Sequence, residues 1–475
     1  MNKELVKKKK YYILMYTLIC MFLVGLSIIF KLFLESYNIW LNTFVIINYI
    51  YLFITIFIFR KINFQWLSLA GFFYIFIYCF HFGQLLTYSF RYESNRVTNF
   101  IEHFNNVNMQ HTLIYVFCVL VCTTLGMLLV KDGEPKLLLK YIPKTMMNCK
   151  KEHMFQLALV MLVFSLPVKV YTDMIMVWAG ILGSYLDGFE METPGILSDI
   201  GNIVYIPITL LFLINDDKRQ RAYLLISILF YSVFSMLGGG RGQQVLFLLL
   251  LGCLIVKKVY KPKWKHIIIL VIIGAIGINF LNTLAETRIQ NDLTLVEMIR
   301  IFLVRFKHNP YFEILTEIGG TIQTPYLIVE QVPKDIPYGY GMTFYKPIVT
   351  ILPNVGGVLN ELLKDINFMW KIDGLALGGS YAGELYYNFG DFGILIAPFV
   401  GYFVKKCSNI MKWSLQNQEY LIFIVFVPVF MNIIWWARST FSPIVRPFVW
   451  GVLTLYLSHV LLLQYKKIKK EKLNM

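Results

Sequence analysis

The sequence predicts an all-α polytopic membrane protein with about twelve transmembrane helices and one large extracytoplasmic loop. Three observations carry that expectation. Of 475 residues, 57% are hydrophobic and only 15% charged, with a mean hydropathy of +0.61, well outside ordinary water-soluble domains. The apolar residues gather into runs near the ~20 residues that cross a hydrocarbon core. Lysine concentrates in alternate connecting segments, as it does where positive charge resists translocation.

The runs fall, in order, near 11–33, 39–59, 66–87, 110–130, 154–177, 196–214, 222–237, 243–256, 266–283, 392–404, 420–437 and 447–464. The first follows Lys3 and Lys7 to Lys10 and so looks like a signal peptide, but it is long for one and no small-residue cleavage site follows. It is therefore expected to be retained as a helix. With the N-terminus inside, the same side receives Arg60-Lys61, six lysines of 131–151, Lys218-Arg219-Arg221, five lysines of 257–265, Lys405, Lys406 and Lys412, and five lysines of 466–472. Both termini are then cytoplasmic. The net charge of +16 is mostly this topology-setting lysine, which anionic lipid headgroups also attract, and nucleic acid is not needed to explain it. The seven cysteines fall in helices or on the cytoplasmic side. Cys118 and Cys122 share a helix face, but no histidine or carboxylate stands at ligand spacing, so no metal site is expected. Asp187, Glu190 and Glu192 read as a solvated acidic rim.

Three regions follow: 1–283 with about nine helices, an extracytoplasmic segment 284–391, and 392–475 with about three helices and a basic tail. Structureless loops beyond about 15 residues are uncommon unless functional, so 284–391 is expected to fold as a cap. Thr294 to Phe306 reads as an amphipathic helix opened by a Thr294-x-x-Glu297 capping box. Asn309-Pro310 starts a second helix running to about Glu317. Turn signals follow at Gly319-Gly320, Pro333, Pro337-Tyr338-Gly339-Tyr340-Gly341 and Leu352-Pro353-Asn354.

Two motifs carry chemistry. In Leu237-Gly238-Gly239-Gly240-Arg241-Gly242-Gln243 an arginine stands in glycine between apolar runs, and an intramembrane guanidinium is a functional-site candidate by default. Arg60, Arg219 and Arg221 fall inside, whereas Arg91, Arg96, Arg241, Arg288, Arg300, Arg305, Arg438 and Arg446 fall outside. Arg91 and Arg96 read as solvated loop charges. Arg241 and Arg438 lie at helix boundaries, where a planar fork of donors suits phosphate oxygens, and they point to an anionic, phosphorylated substrate on the outer face. The second motif is GGSYAGELYYNFGDFG, residues 378–393. Ser380 can cap a helix with Glu384 in its first turns and the tyrosines in an interfacial belt. Equally, a carboxylate among tyrosines that stack on sugar faces and an asparagine that bonds hydroxyls meets the needs of a carbohydrate site, with Glu384 available as a base.

These motifs resemble the oligosaccharide repeat-unit polymerases, the Wzy-type O-antigen or capsular polysaccharide polymerases. Glu317-Ile318-Gly319-Gly320-Thr321, the stretch 332–354 and Arg438-Ser439-Thr440-Phe441 are similar to the family's loop pattern. The resemblance spans most of 230–445, while the first 200 residues match in hydropathy alone. It implies a GT-C-like arrangement at the outer face of the cytoplasmic membrane, with two undecaprenyl-pyrophosphate-linked oligosaccharides as substrates. A hydroxyl of the incoming unit attacks the anomeric carbon of the growing chain, and lipid pyrophosphate leaves. Arg241 and Arg438, with Arg288 and Arg305 as additions from the loop, are then expected on the pyrophosphate without a metal or other cofactor. Glu384 is expected as the base, with His308 and Glu317 as alternatives, and Tyr381, Tyr386, Tyr387 and Asn388 on the sugars. A chain-length regulator and a flippase are the partners implied. Two alternatives stay open: a repeat-unit flippase, which should show two similar halves, and an O-antigen ligase, which shares the loop and the pyrophosphate chemistry.

Overall fold

A computed structural model of the chain describes residues 3–94, 97–131, 149–182, 195–237, 241–260, 262–287, 295–305, 309–352 and 378–473, with isolated positions between them. Among the described residues there are helices and no strands. In chain order they are α1 (Lys3–Phe33), α2 (Tyr37–Lys61), α3 (Leu69–Ser89), α4 (Val107–Leu129), α5 (Lys151–Leu182), α6 (Gly195–Asn202), α7 (Tyr205–Ile214), α8 (Lys218–Leu237), α9 (Arg241–Leu254), α10 (Trp264–Thr287), α11 (Leu295–Arg305), α12 (Pro310–Gly319), α13 (Gln323–Gln331), α14 (Tyr381–Phe389), α15 (Gly393–Gln416), α16 (Tyr420–Val425), α17 (Val427–Trp435) and α18 (Ser442–Leu473).

Ten helical stretches among the described residues are long and apolar enough to cross a membrane. The chain is an all-α polytopic membrane protein. The two other apolar runs, 222–237 and 266–283, also form helices, α8 and α10. Lys218-Arg219-Gln220-Arg221 dilutes α8, and the described apolar stretch of α10, Trp264–Phe280, is short.

The helix starts follow their caps. Ser68 accepts from the Gly71 amide to open α3, Asn106 from Met109 to open α4, and Asn309 from Tyr311 and Phe312 to open α12, where Pro310 has no amide to lose. The expected helix after Asn309-Pro310 is thus present. That after Thr294 is present as α11, with Thr294 and Phe306 outside the described residues. The turn expected at Gly319-Gly320 is absent: the chain passes through one 3₁₀ turn into α13. Gly319 serves close packing instead, since a Cβ on it would stand 2.4 Å from the Gln84 amide nitrogen and one on Gly83 2.4 Å from the Leu315 carbonyl oxygen. The expected turn at 337–341 is found, with Tyr340 and Gly341 at positive φ. That at Pro353-Asn354 lies outside the described residues.

The tightest crossing joins α4 to α15. A Cβ on Gly126 would fall 1.9 Å from the Pro398 carbonyl oxygen, and one on Gly401 1.9 Å from that of Thr123, so the two backbones touch as small-residue faces allow in a bilayer. The described helices of the loop region pack into the same body, α12 on α3 and α13 on α4 and α14. Residues 284 and 391 therefore bound a stretch of sequence, whereas one core cluster runs from Tyr16 through Ile322, Tyr326 and Tyr381 to Leu462. Lysine-rich segments gather at one end of the bundle, where Lys9 donates to the Val130 carbonyl (3.0 Å), Lys151 pairs with Asp216 and Lys258 donates to the Tyr420 hydroxyl (2.8 Å).

A charged pair lies inside the bundle. Lys169 and Asp173, one turn apart on α5, are 2.7 Å apart and about nine-tenths buried. The Tyr231 hydroxyl of α8 donates to the other Asp173 oxygen at 2.6 Å. Removing one member of such a pair costs about 3–5 kcal/mol, because the other is left buried and uncompensated. Asp173→Leu should therefore lower the melting midpoint of the detergent-purified protein sharply, and Lys169→Met/Asp173→Leu should recover most of the loss. Equal midpoints for the single and double variants would show that the pair is not coupled.

Candidate active site

The site is built where α14 enters the bundle. Gly378 and Gly379 lie against the backbone of Arg438 and Ser439: a Cβ on Gly378 would stand 3.2 Å from the Arg438 carbonyl oxygen, and one on Gly379 2.7 Å from the Ser439 carbonyl carbon. The Thr324 hydroxyl donates to the Gly378 carbonyl at 2.9 Å. Ser380 then caps α14, its Oγ accepting from the Gly383 amide at 3.1 Å. Glu384 follows in the first turn, as the sequence led one to expect, but it is wholly enclosed, at 0% exposure.

Its two oxygens are treated unequally. Oε2 accepts from the Trp436 indole N–H at 2.6 Å and from the Phe441 amide at 2.9 Å. Oε1 has no hydrogen-bond partner among the described residues. Thr343 neighbours the carboxylate and accepts from Asn388 Nδ2 at 2.8 Å, which also donates to the Glu384 carbonyl at 2.8 Å. The Trp436 ring is fixed in turn by Tyr381, Phe441, Phe73 and Phe344, with centroids 5.0–6.2 Å away.

The stretch 435–441 connects this carboxylate to both arginine motifs. Trp435 packs over Gly242, where a Cβ would stand 2.8 Å from its ring, which seats the start of α9 and thus Arg241 against it. Arg241 is half-buried as the first residue of that helix, where helix-end amides favour anions. Arg438, exposed, lies beside Gly378.

The remaining expected residues divide. The Tyr381 hydroxyl bonds that of Thr123 at 2.8 Å and its ring is enclosed. Tyr387 is 2% exposed and packs against Gly339, and Asn388 holds Thr343. Stacking on sugar needs an open ring face, so in this arrangement Tyr381 and Tyr387 hold the Glu384 helix, and Asn388 donates to the Glu384 carbonyl within it. Tyr386 lies edge-on to Tyr115, its ring centroid 5.0 Å away, with His111 at 6.0 Å, and His111 in turn pairs with Asp391 at 2.8 Å. Glu317 is exposed on α12. Its neighbour Glu313 is buried and accepts from the Tyr92 and Ser94 hydroxyls at 2.7 and 2.8 Å. Burial, reinforced by that carboxylate, pushes the Tyr92 hydroxyl up, so it stays a donor. Arg305 closes α11. His308 and Arg288 lie outside the described residues.

Sequence reasoning missed Trp436, the donor on Glu384, and His81, which bonds Ser380 at 2.7 Å from 299 positions away. It also passed over Lys169 and Asp173, although a Lys-x-x-x-Asp step inside an apolar run was a readable signal.

Fold and site together define an integral membrane protein that keeps a buried carboxylate beside arginine-bearing helix ends. Over residues 12–471 the chain matches the family model described as O-antigen polysaccharide polymerase Wzy, and it belongs to that family. It is accordingly a repeat-unit polymerase working by glycosyl transfer on lipid-linked oligosaccharides in a membrane, and the flippase and ligase alternatives are not favoured. No curated protein and no solved structure matches it.

Proposed function

We propose that the protein joins undecaprenyl-pyrophosphate-linked repeat units at the outer face of the cytoplasmic membrane, with Glu384 as the base and arginines holding the leaving pyrophosphate without a metal. The observation that carries this reading is the 435–441 stretch, which touches Glu384 through Trp436 and Phe441, the start of α9 through Trp435, and Gly378 through Arg438. Both needs of the reaction, a proton acceptor and fixed positive charge, meet along seven residues. Trp436 and Phe441 fix Oε2, leaving Oε1 for the acceptor hydroxyl. Access to it requires the Thr343 segment to move off Asn388. Arg241 and Arg438 then stabilise charge developing on the pyrophosphate, and Arg288 and Arg305 are further candidates from the loop. Asn388 and Tyr387, which face the 339–343 segment, are the sugar contacts that such an opening would uncover first. The lysine-rich end of the bundle supports a cytoplasmic location for both termini.

A strain lacking the protein should accumulate single-repeat lipid-linked oligosaccharide on the outer face. Restoring it with Arg241→Lys should give polymer about tenfold less efficiently or worse, because the ammonium keeps the charge but not the planar fork. A normal ladder from Arg241→Lys, at matched membrane levels, would remove Arg241 from the pyrophosphate site. Synthesis in isolated membranes should persist in chelator; its loss would overturn the metal-free reading.

A further inference from the structure

His81 is wholly buried on α3 and both its ring nitrogens are engaged. Nδ1 lies 2.8 Å from the Ile77 carbonyl oxygen, one turn earlier, and Nε2 lies 2.7 Å from Ser380 Oγ. A carbonyl oxygen can only accept, so Nδ1 carries the proton; a buried charge is costly, which keeps the ring neutral and leaves a lone pair on Nε2. Ser380, also 0% exposed, must therefore donate to Nε2. This turns its Oγ lone pairs toward the Gly383 amide, at 3.1 Å, and sets the cap of α14. The Glu384 amide bonds the Ser380 carbonyl at 2.7 Å in the same turn. Two turns earlier on α3, the Phe73 ring lies 6.2 Å from Trp436 and 5.6 Å from Tyr381. One helix thus bears on Glu384 from both sides, through the cap of its helix and through the indole that donates to its Oε2.

We propose that His81 is a positioning residue for Glu384: as the Nδ1-protonated tautomer it fixes the Ser380 hydroxyl, and through it the first turn of α14 and the direction of the Glu384 carboxylate. The inference rests on Glu384 being the base. A packing histidine would need no acceptor at Nε2, and Ser380 could cap α14 without it. What the histidine adds is a single allowed direction for the hydroxyl, supplied by a helix that also holds Trp436. Displacements on the order of 1 Å can cost about 100-fold in rate when reacting groups must be aligned, so the effect should appear in turnover rather than in substrate binding.

The test uses the full-length protein in membranes or detergent, with lipid-linked repeat units extracted from the strain lacking it as substrate. Rates are taken per folded molecule, counted by size-exclusion profile. His81→Leu should lower kcat about 10- to 100-fold and leave KM within about twofold. His81→Gln, whose amide oxygen reaches the Nε2 position and accepts the Ser380 hydroxyl, should restore kcat to within about threefold. His81→Asn, which can reach only the Nδ1 position, should not. Ser380→Ala should match His81→Leu, and the double variant should lose no more than either. Equal kcat for the Gln and Asn variants, or wild-type kcat in His81→Leu, would overturn the proposal. If every His81 variant fails to fold, wild-type kcat in Ser380→Ala overturns it, and a kcat loss there supports it. Glu384→Gln separates the two failures: wild-type turnover in that variant removes the base assignment itself, whereas a dead Glu384→Gln beside a fully active His81→Leu removes only the role of His81.

Discussion

Glu384→Gln should abolish the polymer ladder and leave single-repeat lipid-linked units in its place, a fall of about 10²- to 10⁴-fold in turnover, as expected when a general base is removed. The substitution suits the question because glutamine preserves shape. Its carbonyl oxygen can still accept from the Trp436 indole and the Phe441 amide, the two donors that hold Oε2, while its amide can donate on the side now occupied by the partnerless Oε1. A buried amide also avoids the desolvation cost of a buried charge. The variant should therefore fold and reach the membrane at wild-type levels, so the loss would report on chemistry. A purely structural glutamate, held there only by the helix start, predicts the opposite: an intact ladder from Glu384→Gln. Ladders and lipid-linked intermediates resolved on one gel, at matched protein levels, distinguish the two.

Gly401→Leu and Gly126→Leu should give little or no folded protein. At each position the added Cβ alone would fall 1.9 Å from a carbonyl oxygen of the partner helix, and that oxygen belongs to backbone, which cannot swing aside. The helices must separate, forfeiting the van der Waals contact that drives association in lipid, where no hydrophobic effect replaces it. Overpacking a well-packed interior typically costs about 1–3 kcal/mol, and a clash of two backbones along a crossing lies at or above that range. Gly25→Ala and Gly252→Ala are the controls, since a Cβ at either meets nothing within 4 Å. Fluorescence-detected size exclusion after detergent extraction should show a monodisperse peak for the controls and aggregate for the leucine variants. A monodisperse Gly401→Leu would mean that α4 and α15 do not cross this closely in the membrane.

The fold was legible wherever composition and spacing decide the outcome. Every apolar run of the sequence is a helix, because a backbone in hydrocarbon has few other ways to satisfy its amides. The Asn309-Pro310 start held because capping is local. The place of Glu384 in the first turn of its helix was legible too, from the Ser380 cap. What failed were inferences that needed to know the neighbour. Gly319-Gly320 carries the residue types of a turn, yet Gly319 is there because α3 passes against it at Gly83, and nothing local distinguishes the two uses. Tyr381 and Tyr387 were read as open ring faces because their helix seemed to belong to a loop; it enters the core, and Thr123 and Gly339 close over them. His81 was passed over as one histidine in an apolar run, since its partner Ser380 stands nearly 300 residues away.

With Glu384 as the proposed base, its enclosure bears on which nucleophile the polymerase accepts. A lipid-linked sugar chain poised for transfer is also open to hydrolysis, and any base able to deprotonate a sugar hydroxyl could deprotonate water. With no surface exposed to solvent, the carboxylate of the resting protein has no bulk water to activate. On that proposal, an acceptor brings its hydroxyl to Oε1 by spending binding energy to displace the Thr343 segment beside it. Burial of this one side chain would thereby favour extension over chain loss, and would set a size threshold for the nucleophile.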